Sequence, residues 1–224
     1  MATKPNAHRR RGSLRTIHPA HGPNNPARGG EQLRYNISQE AARIMAEEGV
    51  RDYHAAKRKA AVRLNQPDTR HLPSNREVEA ALRRYLELFH GARLAERLRH
   101  LRGLAREAMC FLADYEPLLT GPVLSGTATA FSPIQIHVCA ETPEDIALLL
   151  AAHRIPFDQQ DKRLRFGGER YLPVPTYAFR AEDVAVEVSV FNQEQRREAP
   201  LSPVDGRPML RANVVAVTAL LAHS

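Results

Sequence analysis

Apolar and polar positions keep a helical rhythm over the first half of this chain and change to a strand-like one near Pro122. In "NISQEAARIMAEEG" the apolar set is Ala41, Ala42, Ile44, Met45 and Ala46, with Ser38 placed as an N-cap and Gly49 as a stop. A second helix is expected over "VRDYHAAKRKAAVRLNQ", ended by "NQPD". In "LPSNREVEAALRRYLELFHG", Ser74 and Glu77 spell a capping box. Val78, Leu82, Tyr85, Leu86 and Phe89 follow at helical spacing, and Gly91 is expected to close that helix. A longer helix then carries Leu94, Leu98, Leu101, Leu104, Ala105, Met109 and Leu112 as one stripe, with Arg97, Arg99, Arg102 and Arg106 mostly off it.

After Pro122 the period shortens. "PVLSG" reads as a short strand ending in a turn. "PIQIHVCA" alternates, with Ile134, Ile136 and Val138 on one face and Gln135, His137 and Cys139 on the other. "TPEDIALLLAAHRIPF" is an amphipathic helix with Thr142 as cap and Pro143 in its first turn. "KRLRFGG", "RYLPVPTYAFR" and "VAVEVSVF" read as strands, the first two joined at Gly167-Gly168 as a hairpin. "RANVVAVTALLAH" closes the chain as a helix. The class is α+β, a helical N-terminal half followed by a sheet with helices. Residues 1–30 are expected as a disordered basic arm, 31–107 as a helical region, and 108–224 as the α+β domain.

Charge sharpens that division. Residues 1–30 carry +6, residues 31–110 carry +5 and residues 111–224 carry −4, within a total of +7. A basic front is suited to polyanions, so nucleic acid is one expected partner, met by the arm and by Lys57, Arg58 and Lys59 on the second helix. A solvated face explains the same cluster. Two cysteines, Cys110 and Cys139, do not make a disulfide framework, no run approaches the ~20 apolar residues of a membrane span, and the basic start lacks an apolar run. A soluble cytoplasmic protein without a membrane partner is expected.

The candidate chemistry lies in "SGTATAFSPIQIHVCAE", a small-residue turn feeding a strand. The order is helix, strand, Gly-Thr turn, strand with polar positions two apart, helix, then a later strand with a central acid. Over about residues 108–192 it resembles the nucleotidyltransferase superfamily, the polymerase-β-like fold. Leu124-Ser125-Gly126-Thr127 stands at that family's turn, Gln135-Ile136-His137 at its Asp-x-Asp, and Glu187 at its third carboxylate.

The resemblance implies a small mixed sheet flanked by helices, and a site where Gly126 and Thr127 hold phosphate and carboxylates hold two Mg²⁺. Here Gln135 and His137 are neutral, leaving Glu187 as the one catalytic and metal-binding carboxylate. The implied protein binds a nucleotide or another phosphorylated small molecule through Gly126, Thr127, Gln135 and His137, with transfer weak or lost. Whether it is an enzyme stays open. So do a His137–Cys139–Glu187 transition-metal site, a plain solvent-facing sheet, and acids recruited from Glu182 or Asp183. The alternative function is a nucleic-acid-binding or regulatory module built on the basic half. No P-loop, G-x-G-x-x-G, H-E-x-x-H, C-x-x-C or G-x-S-x-G spelling is present. Arg163, Arg165 and Arg170 beside Phe166 and Tyr171 fit a hairpin tip, and Arg207 follows the Asp205-Gly206 turn.

Overall fold

The capping box at Ser74 starts the longest element. The Ser74 amide donates to Glu77 Oε2 at 2.7 Å and the Glu77 amide donates to Ser74 Oγ at 3.3 Å. From there α3 runs unbroken over Asn75–Phe111, in a computed structural model that describes residue 1, residues 26–66 and residues 69–222. Gly91 does not close it. A side chain at Gly91 would meet nothing, and the helix is pinned on both sides of that point. Leu82 and Leu86 are buried in one core, and Leu101, Leu104 and Met109 in another. That burial outweighs the ~1 kcal/mol by which glycine disfavours a helix interior. The boundary expected at residue 107 therefore falls inside a helix shared by both halves.

Among the described residues two α-helices precede it, α1 at Pro26–Glu48 and α2 at Tyr53–Arg63. The expected arm is corrected at its end, because residues 26–30 form the start of α1, while residues 2–25 lie outside the described residues. Ser38 is not a cap. Its hydroxyl donates to the Tyr35 carbonyl at 2.7 Å inside α1, the back-bonding open to a mid-helix serine. Asp52 caps α2, accepting from the Ala55 amide at 2.7 Å. Ile37, Ala41 and Ile44 of α1, the alanines 56, 60 and 61 of α2, and Val78, Leu82 and Leu86 of α3 form the helical core.

The second half opens differently from its reading. Glu116 adopts a left-handed conformation after α3, and Leu118–Thr120 then form the short strand β1. "PVLSG" is helical, as α4 at Gly121–Ser125, with Pro122 in its first turn and Gly126 (φ 80°) as its left-handed cap. There follow β2 (Ile134–Cys139), α5 (Glu144–Ala152), β3 (Asp158–Arg165), β4 (Tyr171–Ala181), β5 (Val184–Phe191), α6 (Gln193–Arg197) and α7 (Val214–Ala222). The sheet is mixed, in the order β1-β2-β5-β4-β3, with β2 and β5 parallel and every other pair antiparallel. No helix among the described residues is long and apolar enough to cross a membrane.

Alternation gives the sheet two unlike faces. Ile134, Ile136 and Val138 of β2 with Val186, Val188 and Val190 of β5 enter the core, against Leu101 and Met109 of α3, Ile146 and Leu150 of α5, and Val217 of α7. The opposite face carries Gln135, His137, Glu187, Ser189 and Phe191. Residues 198–212 pass from one sheet edge to the other. The Leu201 amide donates to the Arg165 carbonyl at 2.6 Å, at the end of β3, and Ala212 pairs with Leu119 of β1. This strap is tied to the helical half as well, through Asn75 Nδ2 donating to the Pro203 carbonyl at 2.6 Å.

Candidate functional site

The parallel register sets Gln135 directly beside Glu187 and His137 beside Ser189. All four occupy the polar face, so Gln135, His137 and Glu187 do share one side of the sheet. They do not share one environment. Gln135 is half-buried and lines a cleft of about 510 Å³. His137, two residues further along, is 5 % exposed, and its ring lies 4.6 Å from that of Phe191. Burial, with Arg211 and Lys162 adding like charge, lowers the His137 pKa to about 3. Its Nδ1 is buried with no hydrogen-bond partner among the described residues. It is a buried neutral imidazole, outside the cleft lining. The residue that joins Gln135 at the cleft is Pro133, two positions before it on the same face.

Glu187 is 7 % exposed and already partnered on both oxygens. Oε1 accepts from Arg51 Nη1 at 3.1 Å, and Oε2 accepts from the Lys162 ammonium. The plain solvent-facing sheet is thus overturned at these positions: a carboxylate this buried stands because two cations accompany it.

The cleft itself lies between the halves of the molecule. Arg51, from the α1–α2 connection, and Arg83, from α3, stand on its helical side, and Arg207 on the strap. Ser125, Thr127, Thr129 and Ser132 supply hydroxyls along the connection between α4 and β2. Met45, Val50, Leu82, Leu124 and Met209 give it an apolar wall. Glu79 and Asp205 are its acids, so the lining carries a net positive charge. Tyr53 also lines it, and burial, with Glu79 nearby, pushes its phenol well above the ordinary range, leaving a neutral donor.

Arginines of α3 fix the connection. Arg83 Nη1 donates to the Ser125 carbonyl at 3.3 Å, Arg97 to those of Thr129 (3.2 Å) and Ala130 (2.9 Å), and Arg102 Nε to that of Val123 (3.3 Å). Ser125 Oγ and Thr127 Oγ1 lie 2.9 Å apart, and the Thr127 amide donates to the Pro122 carbonyl at 3.0 Å. Gly126 serves this turn through its left-handed backbone and does not line the cleft, whereas Thr127 does. On the far side Gly49, also left-handed (φ 70°), leaves room for the Phe131 ring, which a Cβ there would meet at 2.8 Å.

The remaining sequence candidates disperse. Lys57 is turned inward, its ammonium donating to the Pro73 carbonyl at 2.9 Å and Asn75 Oδ1 at 2.8 Å, and burial lowers its pKa. Lys59 pairs with Glu48, leaving Arg58 as the exposed member of the cluster with no ion pair recorded among the described residues. Among the described residues, the three His, Cys, Asp or Glu side chains whose ligand atoms fall within 4.8 Å of one another are His100, Glu182 and Asp183, all exposed. His137, Cys139 and Glu187 do not form such a group. Glu182 and Asp183 sit at the β4–β5 turn beside α3, outside the cleft lining. Arg163 lies over the Tyr171 ring at 5.1 Å and Arg170 over that of Phe166 at 5.8 Å, as a hairpin would have them.

The residues present do not fit a pair of Mg²⁺ ions. Hard divalent cations take anionic or carbonyl oxygens. The cleft residue beside Glu187 is a neutral amide, Gln135, Glu187 itself stands outside the cleft lining, and both its oxygens are bound to cations. Comparison with protein families, with curated proteins and with solved structures finds no match to this chain.

Proposed function

We propose that this chain is a nucleotidyltransferase-like protein whose cleft binds a nucleotide or another phosphorylated small molecule, and that its transfer chemistry is weak or lost. The observation that carries the reading is Gln135, registered on Glu187 across parallel strands and itself at the wall of a cleft rimmed by Arg51, Arg83 and Arg207, with Glu187 behind that wall and outside the lining. The order of elements supports the resemblance in its later part, where a strand with a central acid lies beside the strand of Gln135, while the segment leading into the small-residue turn is the helix α4 and not a strand. The volume suits a ligand of nucleotide size. Arginines and hydroxyls would take its phosphates, and the apolar wall its organic part.

Loss of transfer follows from the ligand set, since neutral Gln135 and a doubly paired Glu187 leave nothing to align attacking and leaving oxygens. The reading takes the cytoplasm as its setting, supported by two free thiols, Cys110 and Cys139. Calorimetric titration with ATP, CTP, GTP and UTP tests it. At least one binds at millimolar concentration or below, and Thr127→Val and Arg207→Ala each weaken that binding. No binding by any of the four would end the proposal.

A further inference from the structure

A site without metal ligands still has to neutralise a phosphorylated ligand. The side chains around Glu187 form a chain of alternating charge that supplies a fixed cation for this purpose. Lys162, on β3, donates to Glu187 Oε2; Glu187, on β5, accepts from Arg51 through Oε1; and Arg51 lines the cleft. Exposure is lowest at the middle of the chain and highest at its cleft end: the Lys162 side chain is 27 % exposed, that of Glu187 9 %, and that of Arg51 56 %. The carboxylate is the buried link and the guanidinium the presented end.

We infer that Arg51 takes the place of a divalent cation, so that the cleft binds its phosphorylated ligand without metal. In this account Glu187 is a positioning residue that orients Arg51. The inference rests on the proposed phospholigand reading and adds the means of charge neutralisation. The chemistry favours it for two reasons. One contact to Glu187 engages one of the five guanidinium donors, and the planar fork suits phosphate oxygens. Lys162 also offsets the Glu187 charge, so that the three groups together present a net positive charge to an anion.

The test is calorimetric titration of the full chain with ATP, CTP, GTP, UTP and inorganic tripolyphosphate, each in excess EDTA and again in excess MgCl₂. Affinity in EDTA equal to or above that in Mg²⁺ is the expected result. Arg51→Ala then weakens binding in EDTA by about tenfold or more, as for a charge-assisted contact, and Arg51→Lys restores part of it. Glu187→Gln weakens binding in EDTA as well, and adds little to Arg51→Ala in the double variant. Arg51 is exposed enough for its variants to keep the fold, which thermal melts would verify. Binding that needs Mg²⁺, or a Glu187→Gln variant that loses only a Mg²⁺-dependent component, overturns the inference and leaves the phospholigand reading standing. No binding in either condition overturns both.

Discussion

Arg51 Nη1 and Glu187 Oε1 meet at 3.1 Å although 136 positions separate them in the chain. The contact joins the connection after α1 to the central strand of the sheet, and it fixes what each group can do. The half-exposed arginine contributes little to stability by itself, so Arg51→Ala costs under about 1 kcal/mol. Glu187→Ala leaves the part-buried Lys162 ammonium without its partner and costs about 2–3 kcal/mol. Urea unfolding of the two variants measures the difference. Equal costs would mean that Glu187 is not the buried link.

Gly91 is the position where local signals and the folded chain disagree most cleanly. It sits inside α3, and an added Cβ would touch nothing. Gly91→Ala therefore raises stability by about 0.5–1 kcal/mol, by restricting the unfolded chain and favouring the helix. A loss of stability in denaturant unfolding would instead place a helix break there.

Lys57 and Arg58 are adjacent but differ in kind. Lys57 bonds the Pro73 carbonyl and Asn75 Oδ1 at the start of α3, so Lys57→Ala costs about 1–2 kcal/mol in thermal or chemical unfolding. Arg58→Ala stays within about 0.5 kcal/mol of the parent. Matching effects would return both residues to a common solvated basic face.

His137 makes stability depend on pH. Its folded pKa is lowered to about 3 from an ordinary value of 6.5, so the unfolded chain binds the proton more tightly. The stabilising contribution is complete above pH ~6.5. It falls as pH drops toward ~3, by at most ~1.4 kcal/mol for each unit. Unfolding free energies of the parent and of His137→Leu between those limits isolate the slope of one proton. Identical slopes would show that His137 accepts its proton in the folded protein.

Which parts of this fold were legible in the sequence follows from the range of the forces involved. The capping box at Ser74, the valine alternation of β5 and the Gly167-Gly168 hairpin are local signals, and each formed where it was read. Ser38 and Gly91 misled because tertiary burial overrides a cap or a breaker inside a pinned helix. The candidate site was legible on its strand side. Gln135 beside Glu187 follows from two alternating strands laid parallel. Its helical side was not. Nothing near Arg51 in sequence distinguishes it from the other arginines, since its ion pair is made with a partner on β5. The same alternation puts His137 with Gln135, but its burial, with the Phe191 ring at 4.6 Å and Arg211 close enough to act on its charge, depends on tertiary packing that the strand pattern does not foresee.

The proposed phosphorylated ligand is received by the cleft and by no other surface. Amide hydrogen exchange, with and without a saturating nucleoside triphosphate in EDTA, reads this directly along the backbone. Added protection across residues 121–135 and 202–210 and around Arg51 is the predicted result. Unchanged exchange in those segments, or protection confined to the exposed side of α2 and residues 1–25, would contradict it.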